Sequence, residues 1–344
     1  GASLARALRA EGLACTLVDV EGVGAGASGN PSALVTPRFD AGLGPVARLH
    51  AQAFARAVQL HRRSGAVIAE GALQLETPSR SRDRFSRIAA WDGFAPGGLS
   101  LLSAEEAAGR LEEDAALGAL SVRDALVLEP RRLLTAWTEG VEVRCGRFAA
   151  LAREGSQWQV LDGDGAILAS GEVVCLAMGA ATAAAMPGVR LRPVRGQLEY
   201  TDGLAFSGAP AAWGGYAIPT PGGGVLFGAT HGRDDAAVDL RPEERARNIV
   251  DLAKGRPALA GRLAGLPADA LRSRAATRAA TPDHMPLAGP LPDKPGVYVL
   301  AGLGGRGYAL APLLAEHLAS EITGAPTPLP NDLARLIAPD RFAG

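Results

Sequence analysis

A glycine loop carrying one cation, Gly302-Leu303-Gly304-Gly305-Arg306-Gly307, follows the apolar run Val297–Ala301 and opens into an Ala/Leu-rich segment. A strand, a glycine turn and a helix start in that order gather backbone N–H groups and the positive end of a helix dipole at one point, which suits an anion or the electron-rich edge of a cofactor. Arg306 adds a full charge there, placed to stabilise negative charge on a bound group. Asp19 ends the apolar run Thr16-Leu17-Val18. It stands where a dinucleotide fold keeps its ribose-binding acid, about 20 residues beyond the glycine turn. Arg278 matches a carboxylate with two parallel N–H bonds and keeps its charge when buried. Its competing role is an ion pair with an acid such as Asp283. Tyr216, beside Gly214-Gly215, offers a phenolic hydroxyl as a hydrogen-bond donor, or else is an ordinary strand aromatic with its hydroxyl at the rim. Ser28 and Asn30 in the run Gly22–Asn30 suit hydrogen bonds to a cofactor's diphosphate or its ring, although such residues also build turns. The five histidines are scattered and form no Ser/His/Asp pattern.

These residues need elements to hold them. Gly1–Leu8 reads as the first helix of a dinucleotide fold and Thr16–Asp19 as the next strand. Gly1 then takes the place of the third glycine of the fingerprint, so the chain is expected to begin inside its own motif, without the first strand and first two glycines. The alternative is a helix that merely starts Gly-Ala-Ser. Helical spacing covers Pro45–Arg63, Arg80–Trp91, Ser103–Leu111, Pro130–Thr138 and Glu243–Leu266, the third opening on the capping-box sequence Ser103-Ala104-Glu105-Glu106. Strand patterns cover Gly71–Glu76, a meander (Val141–Val143, Phe148–Ala152, Trp158–Leu161, Gly171–Leu176), then Gly196–Tyr200, Tyr216–Pro219 and Val225–Gly228.

At 344 residues the chain has room for two domains, and 47% hydrophobic with 21% charged residues is a globular composition. A net charge of −1 argues against a globally cationic nucleic-acid binder, though not against a local basic patch. The densest basic run is Arg80, Arg82, Arg84 and Arg87, with Arg62 and Arg63 nearby; it suits RNA phosphates or, equally, a solvated helix face balanced by Asp83. Cys15, Cys145 and Cys175 lack metal-ligand spacing, and Cys15 and Cys175 lie in apolar runs that predict inert thiols. No metal site and no membrane span are expected; Val173–Met186, the longest apolar stretch, is too short for one. A cytoplasmic location follows.

Four motifs in order along the chain resemble the D-amino-acid/glycine oxidase superfamily of FAD enzymes. They are Asp19 with Gly26–Asn30, the run Val173–Ala180, Arg278 with Thr281-Pro282-Asp283, Pro286 and Gly289, and the loop Gly302–Gly307. Within that superfamily the details resemble the flavin domain of the bacterial bifunctional enzymes of tRNA wobble-uridine biosynthesis. The residues carrying this are Gly26–Asn30 with Pro37, Gly215-Tyr216, Gly228–Arg233, Ala279–Thr281, Asp283–Pro286, Gly304–Gly307, Ala311–Leu313, and the tail Leu329–Leu333 with Pro339–Phe342. Pro282 departs from the pattern: the tRNA enzymes carry arginine there, and the small-amine oxidases proline.

The resemblance implies an α/β (α+β) chain in which a Rossmann-like FAD/NAD(P)-binding domain interleaves with a β-rich, mixed-sheet substrate domain. The expected FAD-binding domain is residues 1–68, 126–188 and 275–344, and the substrate domain 69–125 and 189–274. Non-covalent FAD is the cofactor. Its ribose and diphosphate side would be held by Gly1, Asp19, Ala27, Ser28, Gly29 and Asn30, with Phe148, Ala177 and Gly179 nearby. Its flavin side would meet Gly302, Gly304, Gly305, Arg306, Gly307 and Tyr308. Arg278, Tyr216 and Arg306 would serve catalysis. The implied reaction removes the carboxymethyl group from 5-carboxymethylaminomethyl-(2-thio)uridine of tRNA, giving 5-aminomethyluridine and glyoxylate. The tRNA is then the partner, with a methyltransferase domain on the same full-length chain. The competing readings are an oxidase of a free small amino acid such as glycine or sarcosine, and a non-catalytic flavin-fold module that binds RNA or a partner.

Overall fold

A computed structural model describes residues 1–185 and 191–342. Two compact units divide the chain: Gly1–Gly29, Arg131–Pro193 and Arg278–Gly344 form the first, Asn30–Pro130 and Val194–Thr277 the second. The expected span 1–68 is therefore divided at Gly29. Residues 30–68 join the second unit because the strand Ala33–Val35 pairs with Ala119–Leu128, and so does Val67–Leu75. The expected boundary between 188 and 189 lies outside the described residues.

In the first unit the strand Thr16–Asp19 pairs in parallel with Glu142–Cys145, Asp19 opposite Cys145. Val174–Leu176 pairs in parallel with Val297–Ala301, which is flanked on its other side by antiparallel Leu287–Pro290. The meander expectation needs correcting at both ends. Glu142–Cys145 has left it for the parallel pair. Gly171–Leu176 is not one strand: Ile167–Gly171 stays with Ala150–Glu154 and Gln157–Leu161, while Val174–Leu176 enters a different sheet. Trp158, Leu176, Leu191, Leu287, Val297 and Val299 form the core beneath. The helix Ala2–Ala10 packs on the helix Gly307–Thr323, and Arg6 pairs with Glu316 at 2.8 Å. A Cβ on Gly1 would lie 3.3 Å from Leu17 Cδ2, so a glycine is what lets this helix approach its strand.

The second unit is built on a ten-stranded mixed sheet. Arg192–Thr201, Val225–Gly228, Tyr216–Pro219 and Ala211–Ala212 follow one another antiparallel; Ala211–Ala212 then runs parallel to Val67–Leu75, which joins Ala119–Leu128. The strand Arg272–Ala280 pairs with Arg192–Thr201. The expected single helix over Glu243–Leu266 is two, Pro242–Gly255 and Pro257–Leu263, because Pro257 has no N–H to continue the first. Both pack on Leu73, Leu75 and Phe227 of the sheet and on Trp213, which follows the strand Ala211–Ala212. The Ser103 capping box forms in full. Among the described residues no helix is long and apolar enough to cross a membrane.

Candidate functional site

The glycine loop hangs from the end of the strand that carries Arg278. Gly304 N–H donates to Ala279 O at 2.8 Å, and Leu303 bridges Ala280. Arg278, half-buried, and Arg306 are thus held by one strand end and the loop pinned to it. Arg306 is the N-cap of Gly307–Thr323 and supplies no side-chain cap. The first helical N–H groups to turn back on the chain are those of Ala309 and Leu310, both on Arg306 O at 3.0 Å. A Cβ on Gly304 or Gly305 would meet nothing within 4 Å, so a ligand can approach the backbone there. An uncapped helix start, an open glycine face and a guanidinium together fit the electron-rich edge of a flavin.

Gly302 is held more tightly. At φ +69° its Cβ would fall 2.9 Å from Thr281 Cγ2 and 3.4 Å from Leu191 Cδ2. Gly302→Ala is therefore expected to cost ~1–2 kcal/mol from the left-handed backbone alone. FAD titration should show weaker binding by tenfold or more, and unchanged affinity would remove this loop from the cofactor site.

The N-terminal turn reaches the same loop: the Tyr308 hydroxyl donates to Ser28 O. Ala27 and Ser28 are exposed, and Gly29 N–H closes the turn on Gly26 O at 3.1 Å. Asp19 is exposed at its strand end, where Oδ1 accepts the N–H groups of Glu21 (3.2 Å) and Gly22 (3.1 Å); Oδ2 is engaged by neither. Ala177 leaves its strand on the side toward which Ala301 leads into Gly302, since the two strands are parallel. Gly179, at φ +60°, opens a short 3₁₀ turn. Phe148 packs, half-buried, against the Trp158 cluster. Asn30 belongs to the second unit, where its side-chain carbonyl accepts from Arg274 at 2.8 Å.

Both oxygens of Asp283 meet Arg341, at 2.9 and 3.2 Å, and Oδ1 also accepts Met285 N–H. Burial raises the Asp283 carboxyl, but these donors outweigh it and hold it below its ordinary value. Burial also raises the thiols of Cys15 and Cys175, in keeping with inert side chains.

Tyr216 lies in the second unit and lines a pocket with Trp213, Gly214, Gly215, Gly228, Ala229, Asn248, Asp251 and Leu252. Behind the pocket runs a buried polar network that sequence reasoning missed. Asn248 Nδ2 donates to Gln197 O (2.9 Å) and Glu199 Oε1 (3.2 Å), while the Ser273 hydroxyl donates to Glu199 Oε2. Arg195, fully buried, meets both oxygens of Glu244 at 3.1 and 3.2 Å, the Gln197 side chain, and the carbonyls of Ala237 and Asp239. Such a network is stable only when every member is satisfied, and it fixes the residues it joins. Its signal was in the sequence: Arg195, Gln197 and Glu199 alternate on one face of a strand whose Val194 and Leu198 are apolar.

The chain is similar to several known proteins along nearly all of its length. A family model described as FAD dependent oxidoreductase (DAO) matches residues 1–321. A Caulobacter sp. (strain K31) protein named tRNA 5-methylaminomethyl-2-thiouridine biosynthesis bifunctional protein MnmC is 51% identical over 346 residues, covering 100% of this chain and 56% of that protein. The protein of the same name from Maricaulis maris is 36% identical, over 100% of this chain and 54% of its own length. The chain thus spans little more than half the length of these relatives. Among solved structures, iminodiacetate oxidase from Chelativorans sp. BNC1 aligns with a TM-score of 0.80 at 22% identity, covering 98% of this chain and 96% of that one. Glycine oxidase from Geobacillus kaustophilus aligns with a TM-score of 0.78 at 21% identity, over 96% and 93%. These show the fold, a Rossmann-like domain joined to a β-rich one, and FAD is the cofactor of the family. The chain belongs to the DAO family of FAD-dependent oxidoreductases.

Proposed function

We propose that this chain is the flavin domain of a cytoplasmic tRNA-modifying enzyme, and that it removes the carboxymethyl group from carboxymethylaminomethyl-uridine at the wobble position. The observation that carries this reading is the 51% identity, along the whole chain, to a protein named for that pathway. A methyltransferase domain on the full-length polypeptide, as "bifunctional" in that name suggests, belongs to the same proposal.

Bound FAD would supply the hydride acceptor, and oxygen would return it to the oxidised state. The substrate carbon between the amine and the carboxylate loses a hydride and becomes an imine. Water adds to that carbon, the C–N bond breaks, and glyoxylate leaves with aminomethyl-uridine remaining on the tRNA. The chain's own part is to bind and orient. Arg278 grips the carboxylate of the leaving unit and holds its neighbouring C–H in place. Arg306 sets a positive charge at the helix start beside it. Tyr216 offers a phenolic hydroxyl from its pocket in the second unit. The amine must be neutral before hydride departs, and water suffices to take its proton.

A second reading, oxidation of a free small amine, is favoured by Pro282 alone. Glyoxylate release decides between them. tRNA bearing the carboxymethylaminomethyl group should be turned over, and free glycine or sarcosine at matched concentration should not. Turnover of tRNA should also fall steeply with salt, because phosphate contacts release counterions. Rapid oxidation of sarcosine with none of the tRNA would establish the second reading.

A further inference from the structure

The tRNA reading leaves open what holds the polyanion, and the arginine-rich segment of the second unit answers it. The helix Arg82–Ala89 buries Phe85 and Ile88 against Leu120, with Phe39, Phe94, Leu99 and Leu101 packed around them. Its charged residues are thereby turned outward: Arg82, Asp83, Arg84 and Arg87 are all exposed. Arg80 precedes them in a tight turn closed by its N–H on Thr77 O at 2.8 Å.

How these arginines are held separates them from others in the unit. Arg62 meets Glu70 at 2.6 Å and Asp124 at 3.0 Å, and Arg123 meets Asp124 at 2.9 Å, so their charges are matched. Arg82 is half-matched, by Glu76 at 3.3 Å. Arg87 instead donates to Ala41 O at 2.7 Å, and Arg84 reaches Phe39 O at 3.5 Å. A main-chain carbonyl orders a guanidinium without cancelling its charge. Arg84 and Arg87 are three apart on a helix and so lie side by side, roughly 5–6 Å between Cβ atoms. Arg80, half-buried, directly precedes the N-cap Ser81 of the same helix, and burial and then the Arg84 charge push its guanidinium below its ordinary value. The acids in the segment are Glu76, committed to Arg82, and Asp83, in the first helical turn where the dipole favours it. Arg87 and Arg84, held at carbonyls, with Arg80 just before their helix, make a local anion-binding stripe in a chain of net charge −1.

We propose that Arg80, Arg84 and Arg87 form a contact for the phosphate backbone of tRNA. The proposal rests on the tRNA reading above and adds to it the place where the polyanion is gripped. Guanidinium forks suit phosphate oxygens, and successive phosphates along one strand suit cations in a row. No base is read here, so the stripe contributes affinity and orientation without sequence preference.

The test uses the full-length, FAD-loaded protein and two triple variants, Arg80→Gln/Arg84→Gln/Arg87→Gln and the same three positions changed to Lys. Binding of unmodified tRNA is measured as a function of salt. The Gln variant should reduce the slope of log affinity against log salt by about 2–3, at ~0.7–0.9 for each phosphate it no longer neutralises. The Lys variant should keep the slope. In turnover the Gln variant should raise KM and leave kcat and the flavin spectrum unchanged. Single Arg→Gln substitutions, each expected to lower the slope by about one, carry the test if the triple variant loses flavin. A Gln variant with the unaltered protein's slope and affinity overturns the proposal while the tRNA reading stands. An unaltered protein that binds no tRNA at any salt yet oxidises free amines overturns both.

Discussion

Arg278→Lys is expected to lower turnover at least tenfold while the bound-flavin absorbance stays as it was. The charge survives the substitution; the two-pronged geometry does not. Removing one charge-assisted hydrogen bond costs roughly 1.5–3 kcal/mol, a factor of about ten to a hundred or more in rate. If Arg278 grips the carboxylate in the ground state as well, KM rises along with the fall in kcat. The main-chain bond from Gly304 to Ala279 does not involve the side chain, so the glycine loop should remain in place. Steady-state kinetics with a flavin spectrum for each preparation checks both halves. An unchanged rate would return Arg278 to a purely structural role.

The largest stability effect is expected at Arg256. This guanidinium and Glu113 are both fully buried and pair at 2.9 Å. Arg256 also donates to the carbonyls of Leu111 and Ser207, each at 2.8 Å. Glu113 in turn accepts the N–H groups of Ala258 (2.6 Å) and Leu259 (3.3 Å), capping the helix Pro257–Leu263. Arg256→Met leaves the carboxylate buried without its partner, which costs on the order of 3–5 kcal/mol. The thermal midpoint should fall by roughly 5–15 °C. The double change Arg256→Met/Glu113→Leu should recover much of that loss, since it removes the stranded charge. A single variant within about 1 kcal/mol of the parent would show the pair to be solvated in solution.

The parts that sequence reasoning placed correctly are those whose signals are local. The Ser103 capping box forms because both its bonds lie within four residues. The loop Gly302–Gly307 turns between strand and helix because glycine tolerates the positive φ of Gly302 and Gly304. Non-local pairings were not legible. Ala119–Leu128 is a central strand that went unseen, its apolar alternation broken by Arg123-Asp124. Glu142–Cys145 looks like the first strand of a hairpin series until its parallel partner, more than a hundred residues upstream, is known. The Arg195–Glu199 network left only its alternation in the sequence: a charged side chain reads as surface until its partners Glu244, Asn248 and Ser273 arrive from distant segments. Asp283 likewise gave no sign in the sequence that Arg341 would claim it.

The proposed reaction moves a hydride from a tRNA side chain to a flavin held by this chain. Mixing FAD-loaded protein, without oxygen, with tRNA carrying carboxymethylaminomethyl-uridine tests it in one turnover. The yellow absorbance should bleach, with one glyoxylate formed per flavin reduced, and tRNA already carrying aminomethyl-uridine should leave the colour untouched. Full retention of colour with the modified tRNA, alongside prompt bleaching by free sarcosine or glycine, would contradict it.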